Sequence, residues 1–206
     1  NSLDKVLQQL YHQGGTSVPS HGNAVKLTGQ NGTKERNCDM GNAAKNSYVK
    51  SRITQAEIAL LEEKPLTDIS ISEITERAEV SRNSFYRNYG SKEDVLREHI
   101  LRIVDEWGAA HGGEQERAEE EKLAEMFDHF VENREFYSLL HRRGELYLIR
   151  DILRAAIGPK GEQSNILAYT TAFIAGGLYS WIEEWFDRGM QENAAEMAAL
   201  LKKRME

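Results

Sequence analysis

One cysteine, Cys38, in 206 residues excludes an internal disulfide and any multi-cysteine zinc or iron–sulfur centre, and suits a reducing cytoplasm. Long apolar runs are missing too. No stretch approaches the ~20 residues that a membrane span needs, and no continuous apolar segment follows the early charges as it would in a secretion signal. The sequence also lacks a nucleophile elbow, a phosphate loop, a metal-ligand set and a cofactor fingerprint, so neither catalysis nor a bound cofactor or metal is expected. Positive charge is not in excess, the net value being −7. Its distribution matters more than its sum: residues 104–206 hold twenty acidic and twelve basic side chains, whereas residues 44–103 hold ten of each. The acidity belongs to the C-terminal region and does not exclude nucleic-acid contact further upstream.

What is present falls into three regions. Residues 1–43 open with a short amphipathic stretch, LDKVLQQLYHQ, and turn into Gly, Asn, Ser and Thr. That composition buries little surface, so disorder is expected from Gly14 to Asn42. Lys34-Glu35-Arg36 can be encoded by a purine-rich run like a ribosome-binding site a few codons before Met40. Met40 as the natural start, with an untranslated or added leader before it, is one hypothesis; a genuine arm is the other.

From Ala44 onward the pattern is helical, without β alternation of any length. Val49, Ile53, Ala56, Leu60 and Leu61 form one helix face, and Pro65 stops that helix. Ser70 and Glu73 make an S-x-x-E capping box for a short helix burying Ile71, Ile74 and Ala78. Ser81 caps a third helix through Tyr89, and Ser91 with Asp94 caps a fourth that runs to about Ala110. Further helices are expected near 115–133, 134–142, 145–157, 163–188 and 191–204, broken at Gly144, Gly158-Pro159 and Gly189. The helix at 163–188 is apolar all round and needs burial, in this chain or against a partner.

The short helices between 53 and 89 have the proportions of a helix-turn-helix. From Arg52 to Leu96, RITQAEIALLEEKPLTDISISEITERAEVSRNSFYRNYGSKEDVL resembles the N-terminal domain of the TetR family without a gap. Ile53, Ala56, Leu60 and Leu61 match its first helix, and Ile71, Ile74, Ala78 and Val80 its second. Phe85-Tyr86, Tyr89, Lys92 and Leu96 match its recognition helix and the start of its fourth. Four positions depart from the family pattern: Pro65 and Glu79 stand where glycines are usual, Asn88 for a histidine and Tyr89 for a phenylalanine. The resemblance implies an all-α fold, with a helix-turn-helix domain at 44–92 and a helical effector-binding and dimerisation domain at 93–206.

Residue chemistry agrees. Between Ser81 and Tyr89 stand Arg82 and Arg87, with Asn83, Ser84 and Asn88 and no acid. Arginine reads guanine edges, asparagine reads adenine, and serine tolerates either. Lys92 opens the fourth helix, where the helix dipole disfavours a cation, and a DNA phosphate there would offset that cost. Tyr86 offers its hydroxyl to a second phosphate. Ser70, Ser72, Ser81 and Tyr89 complete the set expected to meet DNA.

For the C-terminal region the resemblance implies a small-molecule pocket among helices and a homodimer formed by the last two. Aromatic and histidine candidates for the pocket are Trp107, Phe127, Phe130, Tyr137, His141, Tyr147, Tyr169 and Phe173. Gly176 and Gly177, with Leu178, Trp181 and Leu200, are the expected dimer seam, because glycines at ~1 kcal/mol each in helix propensity need a reason such as close helix approach. His129 and His141 lack companions at metal-ligand spacing and are expected as hydrogen-bonded or surface histidines. The segment AFIAGGLYSWIEEWFDRGMQE also resembles a subgroup with an aromatic-rich long helix, including regulators near dihydroxyacetone kinase genes.

The expected function is a cytoplasmic transcription regulator, a repressor by default, that binds a palindromic operator in double-stranded DNA and answers to a small effector. A coactivator or protein-interaction adaptor without DNA binding is the rival reading, and Arg82, Arg87 and Lys92 argue against it.

Overall fold

The computed structural model describes residues 34–111 and 118–205, and every regular element among them is helical. In chain order these are α1 (Lys34–Glu63), a 3₁₀ turn (Leu66–Asp68), α2 (Ile71–Arg77), α3 (Arg82–Asn88), α4 (Lys92–His111), α5 (Glu119–Glu132), α6 (Arg134–Arg143), α7 (Tyr147–Ile157), α8 (Asn165–Asp187) and α9 (Ala194–Met205). The chain divides into two compact units between Leu96 and Arg97.

In the N-terminal unit α1 begins at Lys34, ten residues before the expected Ala44. The rest of the anticipated leader lies outside the described residues. Of the expected inner stripe of α1, Ile53, Ala56, Leu60 and Leu61 are buried and Val49 is half-buried. Pro65 follows the last turn, and a 3₁₀ turn takes over, driving Leu66 and Ile69 into the core. The capping box forms as expected, with Glu73 N–H donating to Ser70 Oγ at 3.2 Å and Ser70 N–H to Glu73 Oε2 at 2.9 Å. Ser91 and Asp94 repeat that arrangement at the start of α4. α1 and α2 are then tied together by Arg77–Glu63, and Lys64, just past the end of α1, pairs with Glu73 of α2.

In the C-terminal unit α9 packs along α5, α7 against α8, and α6 touches both α5 and α8. Gly144 ends α6 at φ 77°, with Glu145 N–H donating to Leu140 O at 2.8 Å, a left-handed cap that favours glycine. The core is aromatic-rich: Phe127 stands edge-on to Trp185 at 5.4 Å, and Phe130 lies 4.8 Å from Tyr137. α8 is not buried all round. Ala175, Leu178, Ile182, Trp185 and Phe186 face inward, whereas Ile166, Tyr169 and Phe173 stay exposed.

Candidate nucleic-acid interface

α2 ends at Arg77 and α3 begins at Arg82, leaving a four-residue turn of Ala78, Glu79, Val80 and Ser81. Val80 N–H donates to Thr75 O at 3.0 Å and Glu79 N–H to Glu76 O at 3.1 Å. This pairing puts Glu79 in the left-handed position, at φ 57°. Glycine suits that conformation best. Arg52 of α1 steadies the turn from below, donating to Ala78 O at 3.0 Å and pairing with Glu79 Oε2 at 2.5 Å.

α3 is short, and its amphipathicity is sharp. Phe85 is fully buried, edge-on to Tyr86 at 5.6 Å, and anchors the helix on α1 and α2. Arg82, Asn83, Tyr86 and Arg87 are exposed. Their spacing of one, three and one places them on one side of a helix. Ser84 and Asn88 are half-buried and internally bonded: Ser84 N–H donates to Ser81 Oγ at 3.1 Å, and Asn88 Nδ2 donates to Ser84 O at 2.7 Å. Arg82 donates to the hydroxyl of Ser72, linking the first turns of α3 and α2. The exposed face has the donors and width that a major groove accepts.

Four expected contacts have partners within the protein. Tyr89 is only 4% exposed and packs on Phe85 at 5.8 Å, so its ring belongs to the core, as the phenylalanine usual at that position would. Lys92 sends its ammonium to the carbonyl oxygens of Leu66 and Ile69, at 2.5 and 2.6 Å. The cation at a helix start is therefore offset inside the protein. Ser70 and Ser81 spend their hydroxyls on capping, although both remain exposed.

The pocket candidates divide in two. Trp107, Phe130 and Tyr137 line a cavity of about 80 Å³ among α4, α5, α6 and α7. Phe127 is buried elsewhere in the core, and His141 pairs with Asp187 at 2.9 Å. Tyr147 is half-buried beneath the guanidinium of Arg150. Tyr169 and Phe173, 71% and 80% exposed, stand on the outer face of α8 and are not among the residues lining that cavity. The remaining walls are mostly aliphatic, together with Gly108 and His129, and nothing in their spacing marks them from sequence. His129 is buried and shares a 2.7 Å hydrogen bond with Tyr137.

The seam candidates divide likewise. Gly176 and Gly177 are exposed, and a Cβ at either would meet nothing within 4 Å in this chain. Leu200 is also exposed. Leu178 instead faces its own core, and Trp181 is half-buried. Glycine exposure and the Ile166–Tyr169–Phe173 stripe fall on the same helix.

Comparison with known proteins agrees with this architecture. Residues 53–99 match the family model for bacterial regulatory proteins of the tetR family, and residues 119–206 match one for a transcriptional regulator C-terminal region. No curated protein matches the chain. A crystal structure of a TetR transcriptional regulator from Streptococcus agalactiae 2603V superposes with a TM-score of 0.56 at 20% identity, covering 82% of this chain and 99% of that one. Among the described residues no helix is long and apolar enough to cross a membrane.

Proposed function

The chain belongs to the tetR family of bacterial regulatory proteins and is a DNA-binding transcriptional regulator, and from that premise we propose a homodimer that reads a near-palindromic operator with α3 and is controlled by a small molecule held in its C-terminal unit. The observation that carries the DNA reading is the exposed face of Arg82, Asn83, Tyr86 and Arg87 on a helix anchored by buried Phe85. Arg82 and Asn83 lie in the first turn, the end of a recognition helix that meets base edges. On DNA, Arg82 exchanges the Ser72 hydroxyl for a base or phosphate acceptor.

The dimer rests on α8. Ile166, Tyr169 and Phe173 follow a three-and-four spacing, with Gly176 and Gly177 continuing the line. A contiguous apolar face of that kind is characteristic of an interaction surface. A second copy of α8 across a two-fold axis would cover it, the glycines permitting close approach. Two recognition helices related by the two-fold then call for two half-sites. Repression, by occupying the operator, is the action proposed.

The test is a gel shift with the DNA upstream of the protein's own gene, repeated on a scrambled duplex. Arg82→Ala should cost ~1–3 kcal/mol per half-site and relax specificity at one base pair. If neither duplex is shifted by the parent protein, the adaptor reading takes over. If Arg82→Ala leaves the operator-to-scrambled ratio unchanged, α3 does not read bases through that residue.

A further inference from the structure

The cavity among α4–α7 has walls that specify a chemistry. Ile100, Val104 and Gly108 form one line along α4, four residues apart, and the opposite walls are aliphatic and aromatic side chains of α5 and α7. No Lys, Arg, Asp or Glu contributes to the lining. Its polar groups are the indole N–H of Trp107 and the hydrogen-bonded pair of His129 and Tyr137. Burial pushes the Tyr137 hydroxyl well above its ordinary range, so that group stays uncharged.

A carboxylate or phosphate brought here would lose its water and find no Lys or Arg to pair with. An ammonium would find aromatic rings but no counter-charge. Size narrows the field further. The cavity, about 80 Å³, is roughly half the ~150 Å³ apolar cavity that accepts benzene. An occupant of one ring therefore needs a modest widening, for which unbranched Met126 on the wall is suited.

Resting on the effector reading above, we propose that the ligand of this cavity is a small, uncharged, mainly apolar molecule no larger than one substituted ring, with a single neutral hydrogen-bonding group directed at the His129–Tyr137 pair.

Three probes sharing one skeleton test this: benzyl alcohol, benzoate and benzyltrimethylammonium, titrated calorimetrically and by thermal shift into the full-length protein. Benzyl alcohol should bind and raise Tm, and the two ions should bind at least tenfold more weakly. Gly108→Leu supplies the site control. A Cβ at Gly108 meets nothing within 4 Å, and position 108 continues the Ile100–Val104 line into the cavity. Leucine is also the better helix former, so the variant should keep or raise its Tm while losing benzyl alcohol at least tenfold. Equal or tighter binding of either ion overturns the ligand class, as does failure of all three probes to bind. Unchanged benzyl alcohol affinity in Gly108→Leu overturns the site. A gel shift with benzyl alcohol present separates the two readings: binding without any change in operator affinity keeps the ligand class and removes the effector role.

Discussion

The ammonium of Lys92 donates to the carbonyl oxygen of Leu66 at 2.5 Å, tying the first turn of α4 to the 3₁₀ turn that follows α1. A second bond, to Ile69 O at 2.6 Å, completes the clamp. Hydrogen bonds from a charged donor contribute about 1.5–3 kcal/mol each when desolvated, and Lys92 is half-buried. Lys92→Ala should therefore cost ~1–3 kcal/mol of stability and lower Tm by several degrees. A denaturant titration beside a salt series on operator DNA decides its role. Unchanged stability with a salt slope reduced by about one would mark a phosphate contact instead.

Glu79 occupies a left-handed turn position at φ 57° and pairs with Arg52 through a side chain that is 80% exposed. The conformation costs ~1–2 kcal/mol for a residue with a Cβ, whereas an exposed ion pair contributes ~1 kcal/mol at most. Glu79→Gly should gain up to ~1 kcal/mol, and Glu79→Ala, which loses the pair and keeps the strain, should fall below the parent. Chemical denaturation of the three proteins gives the order. A glycine variant no more stable than the alanine variant would show that the turn carries no strain.

The helix-turn-helix is legible in the sequence because its signals are local. Ser70 with Glu73 and Ser81 with Ser84 close within three residues, and Ile53, Ile74 and Phe85 mark the inner faces by periodicity. The Lys92 clamp is not legible because its acceptors lie 26 and 23 residues upstream, and backbone carbonyls leave no trace in a sequence pattern. The outward placing of Tyr169 and Phe173 is not legible for a different reason. They share α8 with Trp185 and Phe186, and helical spacing does not say which apolar side meets its own core and which is left outward. Gly176 and Gly177 are the better guide, since the outward side is where those glycines lie.

Acidification should weaken the fold in two steps. Burial, reinforced by the neighbouring Arg102 charge, holds His99 down at about 4 from an ordinary 6.5. Between those values the unfolded chain takes up a proton that the folded chain refuses, so stability falls as pH drops from 6.5 to about 4 and then levels for this group. Glu73 is held at about 2 from 4.5, first by Lys64 and then by Ser70, so its contribution is present above 4.5 and is lost as pH falls toward 2. His99→Gln should flatten the upper step alone. A Tm–pH curve identical to the parent's between 4 and 6.5 would refute this assignment.

Phe173 offers the sharpest test of the dimer. It is 80% exposed, between Tyr169 at 71% and the exposed Gly176 and Gly177, so its ring buries little surface against its own chain. A charge introduced there should change the folding of one chain by no more than ~0.5 kcal/mol. At a two-fold seam each substitution occurs twice, and two carboxylates brought together in an apolar contact repel and lose water. Phe173→Glu should thus keep its helical circular dichroism, sediment as a monomer at micromolar concentration, and bind the operator weakly because each half-site is then engaged alone. Leu178→Glu is the contrast, because Leu178 is buried in its own core and its replacement should unfold the chain rather than separate one copy from another. A Phe173→Glu protein that still sediments as a dimer would move the seam off this face of α8.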